Sequence, residues 1–149
     1  MASVTLSSER RNRLTKLASL GAADWRVLLT AWCLLPLIAM SLRMFDYPRT
    51  RDLMTRFVQG IGSAPAPEIQ IARVTRLVGV AARHGSCRAN CLCLALAVWW
   101  LLARRGVETN LRIGVRKDET GFSAHAWVER DGVVLTGGAV ARERYQPMT

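Results

Sequence analysis

The sequence has no disulfide framework: its four cysteines stand at 33, 87, 91 and 93, three of them within seven residues, with no small secreted scaffold around them. No secretory signal precedes them, because the first apolar run begins late and has no small-residue cleavage site. A reducing cytoplasm is the expected compartment. The longest uncharged run, Val27 to Leu42, has sixteen residues, contains Pro36 and is bounded by Arg26 and Arg43. A bilayer span wants about 20 such residues. A buried helical hairpin element, kinked or interrupted at Pro36, fits better than a span; weak peripheral membrane contact through 27–42 is the alternative. Zinc-finger and basic-zipper spacings are absent, as is an aromatic platform interleaved with basic residues, which argues against nucleic acid. The five tryptophans sit mostly inside apolar runs, where core packing is their expected role.

Acidic residues are scarce, 11 against 21 Lys and Arg, and the shortage is local. Residues 1–106 hold fifteen basic and five acidic side chains, whereas 107–149 hold six of each. The positive excess therefore lies on the first two thirds, suited to an acidic peptide or an anionic membrane face, or no more than a solvated arginine-rich surface. Half of the 149 residues are apolar, which excludes a disordered tail and leaves room for one domain with a real core.

Residues 1–20 are polar and basic, and Asp24 is placed to cap a helix beginning at Trp25. A second amphipathic helix is expected after Pro48, with Leu53, Met54 and Phe57 on one side. The division is a helical N-terminal unit (1–60), a Gly/Ser/Pro linker (61–67) and a core (68–149). In the core, Ile69 to Arg83 reads as a helix with Ile71, Val74, Val78 and Ala81 on one face and Arg73, Arg76 and Arg83 away from it. The run CLCLALAVWWLLARR is apolar all round and stops at Gly106, as a central buried helix does. The period then changes to two. Leu111, Ile113 and Val115 alternate, FSAHAWVE alternates again, Asp131-Gly132 marks a hairpin, and VVLTGG supplies a third strand. The order is α+β, a buried helix followed by an antiparallel meander, with YQPMT closing one edge.

Cys91 follows Asn90, a good N-cap, and so opens the buried helix. The positive end of the helix dipole there favours a thiolate nucleophile, and free first-turn N–H groups can receive an oxyanion. The plainer role is a small buried hydrophobe. His125 breaks the apolar pattern of the second strand, and small Ala124 and Ala126 leave room around its ring. It can serve as a base for a nearby thiol, or be an ordinary half-buried strand histidine. His84, in a loop, is the weaker candidate.

From Cys91 onward the chain resembles the stand-alone leader-peptidase B proteins of lasso peptide biosynthesis. The resemblance is carried by Cys91, Leu92, Ala95, Leu96 and Val98, then Arg104-Arg105-Gly106, then Leu111, Ile113, Gly114 and Val115, then Ala124 to Glu129 and Gly132. It implies a transglutaminase-like (papain-like) cysteine-peptidase core, with Cys91 as nucleophile and His125 as base, acting on a ribosomally made precursor peptide. Counting back from Gly106 places the nucleophile on Cys91 rather than Cys87 or Cys93. The resemblance also implies two partners, a separate leader-recognition protein and a lasso cyclase, since no segment is left over for recognition. No cofactor and no metal is expected.

One element of the family pattern departs. The aspartate that orients the histidine corresponds to Gly137, which a three-residue loop at Arg130-Asp131-Gly132 would set opposite His125. Asp131 and Glu129 are too far along the strand to replace it. Asn90, Glu143, a backbone carbonyl or water remain candidates. The competing readings are an inactive, membrane-associated scaffold, an acyltransferase on the same fold, and a zinc module at His84, Cys87, Cys91 and Cys93. The zinc spacing is unusual and the segment is apolar.

Overall fold

The computed structural model describes residues 21–58, 67–85, 90–118, 121–138 and 145–148. Among these residues four helices are followed by a sheet: α1 (Ala22–Met44), α2 (Tyr47–Arg56), α3 (Glu68–His84), α4 (Cys91–Ala103), β1 (Asn110–Asp118), β2 (Gly121–Arg130), β3 (Val133–Val134) and β4 (Gln146–Met148). The sheet order is β3-β2-β1-β4, antiparallel throughout. This is the expected α+β arrangement, with the C-terminal segment closing the β1 edge as β4. The 61–66 stretch of the expected linker lies outside the described residues.

The central helix is α4. Leu96, Ala97, Val98 and Leu102 are fully buried, and α1, α3 and the inner face of the sheet pack around them in one core cluster. Each such Leu or Val contributes about 1.5–3 kcal/mol by leaving water. Val107 N–H donates to the Leu102 carbonyl (3.1 Å) and Gly106 N–H to that of Ala103 (3.0 Å), a Schellman ending that seats buried Val107 under the helix. The Arg104 guanidinium lies 4.7 Å from the centre of the Trp100 ring, and Arg105 Nη1 donates to the Leu101 carbonyl (2.7 Å). The Arg-Arg-Gly run thus finishes the helix.

In α3, Ile71, Val74, Val78 and Ala81 are buried and Arg73, Arg76 and Arg83 exposed, as the helical period requires. Two expectations for α1 are corrected. It is one uninterrupted helix through Pro36, with one side buried (Val27, Ala31, Leu35, Ile38) and the other exposed, so it is neither a hairpin nor fully buried. Trp25 and Trp32 lie on the exposed side. Asp24 does not cap the helix; Gly21 is the N-cap, and Asp24 sits buried in the first turn, paired with Arg73 of α3 at 3.0 Å. In α2 the buried face is Thr50 and Met54, not Leu53, Met54 and Phe57. The reason lies in its neighbours: Thr50 Oγ1 meets Ser41 Oγ of α1 (3.1 Å), and the Met54 carbonyl accepts from Trp100 Nε1 of α4 (3.2 Å).

The β2–β3 hairpin turns at Asp131-Gly132 as expected, but Arg130 belongs to the strand rather than to a three-residue loop. Its loop has two residues, Asp131 (φ 49°) and Gly132 (φ 81°), both in the left-handed region that suits the twist of paired strands. The third strand is only Val133–Val134. Leu135 N–H still reaches the Val128 carbonyl (2.8 Å), but the Val128 N–H donates to the Thr136 side-chain Oγ1 (2.9 Å). A hydroxyl stands where the next backbone acceptor would, and the chain has left the ladder before Gly137.

Candidate active site

Cys91 is the first residue of α4, partly buried against the core cluster. Asn90 caps the helix: its Oδ1 accepts from the Cys93 N–H at 2.8 Å, and its carbonyl accepts from Leu94 N–H at 3.1 Å. The N–H groups of Cys91 and Leu92 have no partner among the described residues. They stand at the positive end of the helix, beside the thiol. Cys93 is buried, two residues on, and does not share the position of Cys91. Cys87 lies outside the described residues.

His125 sits on β2 directly across from Gly114 of β1. Strand alternation puts Ala126 and Val128, with Leu111 and Ile113, into the helical core, and His125, Trp127 and Gly114 on the other face. There the imidazole is flanked by two rings, Tyr145 at 5.2 Å between centroids and 29° between planes, and Trp127 at 6.4 Å and 19°. Gly114 makes this packing possible: a Cβ on it would stand 2.8 Å from the Trp127 ring and 2.8 Å from the Tyr145 Cβ. Trp127 is only 1% exposed, and its Nε1 donates to Glu129 Oε2 (3.4 Å), whose other oxygen binds Arg112 Nε at 2.9 Å.

Gly137 lies against the ring edge. A Cβ built on it would be 2.6 Å from His125 Nε2 and 3.3 Å from the Trp127 Cβ, and its φ is 87°. Gly137 therefore does reach His125, although by leaving the ladder after a two-residue loop rather than through the expected three-residue register. Asn90 spends its Oδ1 on the cap and does not hydrogen-bond the imidazole. Asp131 stays at the turn, paired with Arg130 at 3.3 Å, and Glu143 is outside the described residues. Among the described residues the ring is held by aromatic packing.

Among the described residues no hydrogen bond joins Cys91 and His125. The thiol belongs to the helical layer and the ring to the sheet face turned from it. Tyr145 and Gly114 are the contributors that sequence reasoning missed. Gly114 carried a signal, a glycine inside a strand pattern, which often marks close approach; Tyr145 carried none. Among the described residues no group of three or more His, Cys, Asp or Glu side chains is placed to hold a metal.

The transglutaminase-like superfamily model matches residues 31–149, from within α1 to the C-terminus, and the chain belongs to that superfamily. Its members are typically cysteine-dependent hydrolases or transferases. No curated protein and no solved structure matches the chain.

Proposed function

We propose that the protein is a cysteine peptidase that removes the leader from a ribosomally made lasso precursor peptide, with Cys91 as nucleophile and His125 as base. The observation that carries this reading is Cys91 in the first turn of the buried helix, capped by Asn90, with no partner for the Cys91 and Leu92 N–H groups among the described residues. The Cys91 sulfur attacks the carbonyl at the leader–core junction, and the carbonyl oxygen takes the negative charge towards those N–H groups. The C–N bond breaks, and the core amine leaves with the proton that His125 took from the thiol. Water then cleaves the thioester, freeing the leader carboxylate and restoring the thiol.

Cys91 opens α4 and His125 lies on β2, the strand that packs on that helix, so the reading requires the imidazole to reach the thiol when substrate is bound.

A second reading, a catalytically weak scaffold of the same biosynthetic complex, is favoured by Gly137 at the position of the orienting acid. An acyltransferase differs only in the acceptor of the thioester. The test is to incubate the protein, a separate leader-recognition partner and the precursor peptide, and to follow products by mass spectrometry. Free leader with a C-terminal carboxylate supports the peptidase. Leader joined to an added amine supports the acyltransferase, and intact precursor the scaffold.

A further inference from the structure

The exposed side of α1 is unlike the rest of the surface. Trp25 (44% exposed), Leu29, Trp32 (50%), Leu37, Met40 and Met44 follow one another along one arc of a 23-residue helix. The helix is apolar enough to cross a membrane by length and composition, yet only 22% of its most apolar stretch is buried. Between Arg26 and Arg43, both exposed, that arc carries no charge. A further apolar cavity of about 270 Å³, lined by Trp25, Leu28, Leu29, Trp32 and by Val80 and Ala81 of α3, runs along its flank.

We propose that α1 lies in the plane of an anionic lipid surface, with this arc seated among the acyl chains. A spanning orientation conflicts with the fold, because the opposite side of α1 packs on α3 and α4 and holds the Asp24–Arg73 pair. Lying flat costs none of these contacts. Tryptophans along the arc suit the headgroup boundary, where an indole keeps its N–H wet and its ring dry. Arg26 and Arg43 stand at the two ends of the arc, from which their long side chains reach lipid phosphates. The charge is complementary as well: the formal charge is +10, and the excess lies in residues 1–106, which contain α1. An acid-poor surface around an apolar stripe favours lipid over a second copy of the same positively charged chain, which would be repelled.

The full chain is mixed with sedimentable vesicles of phosphatidylcholine alone and of equal parts phosphatidylcholine and phosphatidylglycerol. The variant Leu29→Glu/Leu37→Glu/Met40→Glu is run beside it, its circular dichroism and melting checked, since all three positions already face solvent. The native chain is expected to sediment with the anionic vesicles, and the variant to bind at least about tenfold more weakly. Brominated acyl chains should quench the native tryptophan emission, and Trp25→Phe/Trp32→Phe should remove most of that quenching. Native protein that stays in solution with anionic vesicles would overturn the proposal. So would equal binding by the triple variant, or a dimer abolished by the triple variant in a chain that ignores lipid.

Discussion

His125 Nε2 and Gly137 are in such close contact that a single methyl group on the glycine would lie 2.6 Å from the nitrogen. The imidazole edge that an acid would usually orient is met here by backbone. Gly137 also has a φ of 87°, where side chains other than hydrogen are strained. Gly137→Ala is therefore expected to displace the ring and lower leader release by about a hundredfold, the lower end of what a positioned base contributes. Gly137→Asp, which would supply the missing acid, is expected to fail in the same way. Initial rates with both variants check this; a gain of activity in Gly137→Asp would show that the backbone can yield.

Tyr145 stacks on His125 at 5.2 Å, and its hydroxyl is 3.4 Å from Ser123 Oγ. The ring rather than the hydroxyl holds the imidazole, so Tyr145→Phe should keep most activity. Tyr145→Ala should lower kcat by about tenfold with little change in KM, because the freed ring spends less time in a productive geometry. A loss confined to KM would point to peptide binding instead.

Arg73 and Arg76 look alike in sequence but not in structure. Arg73 closes on Asp24, whose carboxylate side chain is 4% exposed, whereas Arg76 points to solvent. Removing Arg73 leaves a buried charge alone. Arg73→Ala should cost about 1–3 kcal/mol in urea unfolding, and Arg76→Ala less than about 0.5 kcal/mol.

Asn90 caps α4 through the 2.8 Å bond from Cys93 N–H. Asn90→Ala should destabilise the fold by about 1 kcal/mol, while Asn90→Ser, which keeps an acceptor, should cost a few tenths. Thermal melting of the two variants separates the cap from a loss of side-chain volume.

Much of this architecture was legible because local signals agreed with one another. The all-round apolar run between Asn90 and Gly106 specified a buried helix with both ends marked, and the alternation of Leu111, Ile113 and Val115 and of FSAHAWVE marked the two long strands. The side of α1 that faces solvent was not legible, since a helix apolar on every side offers no phase to read. The face of α2 was set by Ser41 and Trp100, contacts that amphipathic spacing does not encode. The β2–β3 register turned on whether Arg130 belongs to the strand or the loop, which depends on backbone angles at Asp131 and Gly132. Cys91 stood out by its place after the Asn90 cap, and His125 by its small neighbours Ala124 and Ala126. The ring that packs on His125 comes from Tyr145, across charged residues with no period to connect them.

The central claim is that Cys91 forms a covalent intermediate with the leader. Its most direct measurement is intact mass after rapid acid quenching of a reaction with precursor peptide and recognition partner. A species of the chain plus the leader acyl group, mapped to Cys91 and absent in Cys91→Ala together with leader release, is the predicted result. Leader release by Cys91→Ala at the native rate, with no adduct on the native chain, would contradict it.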